Sequence, residues 1–296
     1  MERWLSRART AAAFVADRPE LWLPGALVWT VTVGWVALAI GVARSPTIAE
    51  LTFFGADLFT SGAWPWNALG IGAAALVAVI GAFALAAIGE VAILGRASAR
   101  AAARAFVIGL LTATPALIAL LIAAIAAFLA APAEFNAPEN GAGPLARTLL
   151  RIGPFVALAV ALAVAGAAIH AAALRAAIEG GSVAGALRGA PPTLGRVGSS
   201  ALVQAVALVV IRALSIAVAA ILLRVLWAPI GERLASDGID VAVLLLLVGF
   251  VAIWLCLVLA GGALHAWGSV AWTRVLGAPA HDAGRHRGGM ETHPRS

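Results

Sequence analysis

Charge is scarce in this chain. Asp, Glu, Lys and Arg together make 11% of its 296 residues, where soluble domains carry roughly 25%. A chain so poor in charge cannot cover a water-facing surface, which excludes an ordinary soluble fold. Lysine is absent and all 20 basic residues are Arg, a usage to which we attach no function. A single cysteine, Cys256, excludes an intrachain disulfide and a multi-cysteine metal site. Lying inside a long apolar run, it reads as a small lipid-buried hydrophobe. The apolar stretches lack apolar–polar alternation, which argues against a transmembrane barrel. No nucleotide loop, metal cluster or catalytic constellation is recognisable, so nothing points to an enzyme, a metal or a cofactor.

Apolar residues make up 62% of the chain, gathered in six long runs. In lipid the backbone must bond within its own segment, so these runs are expected to be helices. At 1.5 Å per residue, roughly 20 residues cross a ~30 Å hydrocarbon core. The runs place helices at 21–43, 67–94, 105–131, 152–178, 199–226 and 241–272. The first, from Leu21 to Ala43, is longer than the roughly 7–15 apolar residues of a signal peptide. It reads as a retained helix, with cleavage after Ala43 as the alternative. The expected fold is all-α: a polytopic transmembrane bundle of six spans (residues 21–276), preceded by an amphipathic cytoplasmic segment (1–20) and followed by a disordered cytoplasmic tail (277–296).

Arginine sets the orientation. One side holds Arg3, Arg7, Arg9, Arg18, Arg96, Arg100, Arg104, Arg175, Arg188, Arg196, Arg274, Arg285, Arg287 and Arg295, and the other holds Arg44, Arg147, Arg151, Arg224 and Arg233. The positive-inside rule assigns the richer side, with both termini, to the cytoplasm of a cell whose inner membrane carries the protein. An even number of spans agrees with same-side termini. Trp22, Trp267 and Trp272 fall near the inner ends, and Trp64, Trp66 and Trp227 near the outer ends, as interfacial Trp residues do. The formal charge of +6 and pI near 11.4 therefore read as topology and as contact with anionic headgroups, not as nucleic-acid binding; a basic groove with interleaved aromatics is missing.

Outside the spans, Trp4, Leu5, Ala8, Ala12 and Val15 share one helical face and Arg3, Arg7 and Arg18 the other, a pattern suited to a helix lying in the headgroup plane. Arg96, Arg100 and Arg104 are spaced i, i+4, i+8, so a helical turn there puts them on one face for lipid headgroups or a cytoplasmic partner. Pro191-Pro192 is expected to break the 179–200 loop, leaving 182–189 as a short helix. The outer loops 44–66 and 132–150 read as irregular, although Leu51–Phe59 is apolar enough to dip into the interface. Ala157, Ala161 and Ala165 recur every four residues and suggest close helix contact. Glu232, Asp237 and Asp240 read as a solvated outer loop.

A few polar residues interrupt the apolar spans. Arg212 lies near the middle of the fifth span, where a charge costs roughly 2.5–3.5 kcal/mol on insertion scales. With Ser200, Gln204 and Ser215 it forms a polar seam. Three readings stand: the seam lines a substrate or ion path or binds an anionic group; Arg212 pairs internally and locks packing; or it snorkels along a tilted helix. Glu90 lies about a turn inside the inner end of the second span, able to pair with Arg96 or a basic residue of another helix, or to carry protons. His170 and His265 lie at comparable depth and suit interhelical hydrogen bonds, a proton relay or, as a bare minimum, axial haem ligation. Thr112, Thr114 and Pro115 predict a kink in the third span, with a Thr hydroxyl or water satisfying the Leu111 carbonyl. Helices two–three and four–five also suit a parallel internal repeat.

The stretch Ser182-Val-Ala-Gly-Ala-Leu-Arg-Gly-Ala, followed by Leu194-Gly-Arg196 and a span, resembles the uncharacterised six-helix bacterial membrane domains sometimes fused to glycerophosphodiester phosphodiesterases. The resemblance covers about 40 residues. With no soluble phosphodiesterase domain in this sequence, it implies a membrane-embedded module and carries over no catalytic residue. The function expected is a permease-like or accessory membrane component that binds or moves a small or lipidic substrate, or, as the alternative, an assembly scaffold within a membrane complex.

Overall fold

A computed structural model describes residues 2–43, 61–136, 144–236, 238 and 240–287. Among these residues the secondary structure is helical, without strands. Six helical stretches are long and apolar enough to cross a membrane: Pro19–Val42, Leu69–Ile93, Ala99–Ala130, Arg147–Ile178, Ser199–Ser236 and Val241–Gly277. The chain is an all-α, multi-pass membrane protein.

The helices are α1 (Glu2–Ala16), α2 (Trp22–Trp29), α3 (Trp35–Val42), α4 (Trp66–Ile93), α5 (Ala99–Asn136), α6 (Pro144–Ile178), α7 (Val183–Val197), α8 (Ser199–Ser236) and α9 (Val241–Arg287). The first span is α2 and α3 joined by a turn of π-helix, Thr30–Gly34. Four β-branched residues in a row (Thr30, Val31, Thr32, Val33) crowd a regular helix at χ1, and the wider turn relieves them. The Thr32 hydroxyl donates to the Val28 carbonyl at 2.7 Å. The other helices overrun the expected spans because apolar pattern marks only the part in oil. Polar and proline-containing turns continue past it, as in α8 through Pro229. Likewise α9 stays helical through Arg287, where the loss of apolar period after Gly277 suggests a tail; helical backbone bonds need no apolar face. The Leu51–Phe59 stretch lies outside the described residues.

Chain contacts divide the protein into two compact units. One comprises the described parts of Met1–Arg7, Arg104–Val209 and Trp272–Ser296, the other Ala8–Ala103 and Val210–Ala271.

In the first unit α7 packs along α6. Ala186 and Ala190 of α7 bury against Ile108, Ala172, Ala173 and Ala177, with Val183, Leu187 and Leu194 alongside. Ser182 caps α7, its Oγ accepting from the Gly185 N–H at 3.1 Å, and Gly198 ends it at φ 61°. The expected break at Pro191-Pro192 does not occur; α7 runs through both prolines. Proline's φ suits a helix, and its cost lies in the missing N–H bonds to the carbonyls of Leu187 and Arg188. Arg188, Pro191 and Pro192 lie on the exposed face, where that deficit is cheapest. The Ala157, Ala161 and Ala165 stripe is also corrected, since all three are exposed. The close approach is made instead by Gly166, whose Cβ would strike the Thr112 carbonyl. Thr112 donates to the Ile108 carbonyl at 2.8 Å and Thr114 to Leu110 at 2.7 Å, rather than to Leu111.

In the second unit the first span is wedged among its neighbours by glycine. Cβ atoms at Gly25 and Gly262 would meet the other helix's backbone, and Gly41 sits against Leu223. The Trp29 ring lies over Gly261 and Gly34 and 6.0 Å from the Trp254 ring. Leu223, Ile230, Val243 and Phe250 form a second core. The buried face of α1 differs from the expectation of a helix resting on lipid: Ala11 and Val15 pack against Ile93, Ala266, Val270 and Ala271. The indoles follow the same logic. Trp267 Nε1 donates to the Ala8 carbonyl at 3.0 Å and Trp22 Nε1 to the Val15 carbonyl at 3.1 Å, so these Trp side chains fasten α1 to protein.

Candidate functional site

Two glycine contacts assemble the polar cluster. Gly89 has no side chain, and a Cβ there would strike the Pro24 carbonyl and Val28; α4 therefore lies hard against α2, with Glu90 next in sequence. On α9, Gly261 and Gly262 let the helix close on the first span one turn before His265. Gly261, His265 and Ser269 recur every four residues, so the same face that makes the crossing turns His265 and Ser269 toward α4.

The resulting contacts join α4, α8 and α9. His265 Nε2 lies 2.6 Å from Glu90 Oε1, and Ser269 Oγ donates to Glu90 Oε2 at 3.0 Å. Arg212 Nη2 lies 3.4 Å from His265 Nδ1. A guanidinium only donates, so Nδ1 is the accepting nitrogen and Nε2–H donates to the carboxylate. The imidazole thus bridges Arg212 and Glu90. The acid end is enclosed: His265 is 8% exposed and the Glu90 side chain 16%. The cationic end differs. Protein atoms crowd Arg212, yet the residue remains exposed, and its guanidinium makes a long contact to His265.

Depth also changes. Arg212 looks central when its helix is taken to end near Leu226, but α8 continues to Ser236. Its partner acid lies three residues from the end of α4, roughly 5 Å along the axis, just before the Gly95 reversal at φ 67°. The cluster therefore lies toward the Arg96 end of α4.

The remaining sequence candidates sit elsewhere. Ser215 Oγ donates to the Arg212 carbonyl at 2.8 Å, within α8. Ser200, Gln204 and His170 belong to the other unit. Gln204 is fully buried, its Oε1 accepting the Trp4 indole N–H at 2.8 Å, while its Nε2 has no hydrogen-bond partner. The seam read along α8 is thus divided between two environments. Of the three arginines proposed for headgroups, Arg96 precedes α5 and falls outside the helical spacing. Arg100 is exposed, whereas Arg104 donates to the Ala177 carbonyl at 3.0 Å. It caps the last turn of α6, where a cation meets the negative end of the helix dipole. Glu232 lies on α8 and Asp240 caps α9, accepting from the Val243 N–H at 2.7 Å; Asp237 lies outside the described residues. Among the described residues no group of three or more His, Cys, Asp or Glu is placed to hold a metal.

Ser269 and Trp4 are participants that the sequence reading missed. The four-residue recurrence of Gly261, His265 and Ser269 was a signal for the first; nothing local marks Trp4 as the partner of a residue 200 positions away. Comparison with known proteins adds no relative: no family model, no curated protein and no solved structure matches this chain.

Proposed function

We propose that this chain is a non-enzymatic component of the cell's inner membrane, permease-like or accessory, that binds or moves a small or lipidic substrate at the Arg212–His265–Glu90 cluster. The observation that carries this reading is the asymmetry of the cluster. An ion pair serving only to lock helices has both ends closed. Here the acid end is closed by His265 and Ser269, while Arg212 is exposed and makes one long contact. Charge inside a span is costly to keep, and an arginine without a close carboxylate partner offers a ligand what a closed ion pair does not. The likeness of 182–196 to phosphodiesterase-fused membrane domains fits the same proposal of a membrane module.

The test uses proteoliposomes with two probes, a fluorescent phospholipid and a small organic anion. At least one is expected to cross faster than in protein-free liposomes, and Arg212→Ala is expected to slow it about tenfold, the loss of one charge-assisted hydrogen bond. An unchanged rate for a probe the wild type moves rejects the site.

An assembly scaffold is the second reading, favoured by the backbone-to-backbone glycine crossings. It expects Arg212→Leu to be tolerated, neither probe to move, and a membrane partner to co-purify.

For orientation, the arginine distribution supports both termini in the cytoplasm, with Arg100 among the residues facing anionic headgroups. Reporter fusions at either end are expected to be active only in the cytoplasm; activity outside at one end reverses the assignment.

A further inference from the structure

We infer that Arg212 is the recognition point for the singly charged phosphodiester of a membrane lipid, an inference that rests on the substrate-binding reading above. Four observations converge on it. Arg212 carries five N–H donors in a planar fork suited to two phosphate oxygens, and its guanidinium makes only a long 3.4 Å approach to His265. The countercharge, Glu90, lies one imidazole away and is already occupied by His265 and Ser269, so it holds the arginine in place without covering it. The cluster sits about one turn inside the end of α4, a depth within reach of the headgroup layer. Finally, Arg212 is itself exposed, as is Ala213 next to it, and the neighbouring positions of α8 are apolar in sequence, which suits the acyl chains of a bound lipid. Glu90 also sets the charge state accepted. A second negative charge on the ligand would face that carboxylate across the imidazole ring, which favours a phosphodiester over a doubly charged phosphomonoester.

The experiment is native mass spectrometry of delipidated protein in detergent, titrated separately with phosphatidylglycerol, phosphatidic acid, diacylglycerol and glycerol 3-phosphate. Wild type is expected to retain one phosphatidylglycerol, to hold phosphatidic acid more weakly and to hold no diacylglycerol. Arg212→Gln is expected to weaken phosphatidylglycerol retention about tenfold, and Arg212→Lys less, because a single point charge replaces the fork. Since Arg212→Gln leaves Glu90 without its cation, Ala213→Trp provides a second variant; it covers the approach while leaving the cluster intact, and is expected to weaken retention similarly. Equal retention by wild type and both variants overturns the inference, as does diacylglycerol held as tightly as phosphatidylglycerol. Displacement of the lipid by millimolar glycerol 3-phosphate would identify a soluble phosphate as the ligand and overturn the lipid assignment. Lost retention in Arg212→Gln with unchanged probe flux leaves this inference standing and removes the transport reading. Lost flux with unchanged retention does the reverse.

Discussion

Gly262→Ala is expected to prevent stable folding, although it adds a single methyl group. A Cβ at this position meets the Trp22 carbonyl and the backbone of Ala26. Backbone atoms cannot rotate away as a side-chain tip can, so α2 and α9 must separate. Overpacking of a rigid core typically costs about 1–3 kcal/mol and occasionally more, and this contact belongs at the upper end. Separation also withdraws His265 from Glu90, since the crossing lies one turn before it. Gly249→Ala on the same helix is the control. Nothing lies within 4 Å of a Cβ there, and replacing a helical glycine gains roughly 0.5–1 kcal/mol. Thermal unfolding in detergent, followed by size-exclusion chromatography, should show the two substitutions moving stability in opposite directions. Equal behaviour would mean that the crossing is looser than its geometry.

His265→Ala is expected to cost about 3–5 kcal/mol, the range for removing one partner from a buried charged set. It removes the imidazole from Glu90 and takes from Arg212 the contact it makes to α9. His265→Gln should recover much of the loss, because an amide oxygen can accept from Arg212 while its N–H donates to Glu90. Replacing His265, Glu90 and Arg212 together by Leu should cost less than His265→Ala, since no charge then remains unpaired. Thermal unfolding of these three proteins decides the matter. If the triple variant is the least stable, the cluster contributes to folding in its own right. If it is stable yet retains no phosphatidylglycerol, the cluster is kept for binding.

How much of this was legible beforehand follows from particular residues. Arg212, Glu90 and His265 were each recognisable as polar interruptions of apolar spans, because their cost in lipid is a property of the side chain alone. Their association was not. Glu90 had an equally good sequence neighbour in Arg96, and His265 had a depth-matched counterpart in His170. The selection came from Gly89, Gly261 and Gly262, which decide how closely helices approach and carry no polar signal. Arg104 illustrates the opposite failure. Its spacing from Arg100 suited headgroups, yet it lies within reach of the last turn of α6, and the Ala177 carbonyl takes it.

Hydropathy and backbone hydrogen bonding, both local quantities, were sufficient to determine from the sequence that the described residues are helical, with six helices long and apolar enough to cross a membrane, because each helix satisfies its own polar backbone wherever it sits in oil. Only the tertiary structure decided that α1 docks on protein, that α7 continues through two prolines, and that Glu90, His265, Ser269 and Arg212 meet. Those outcomes depend on contacts between residues up to 259 positions apart, where steric fit at glycine, rather than apolar pattern, chooses the neighbour.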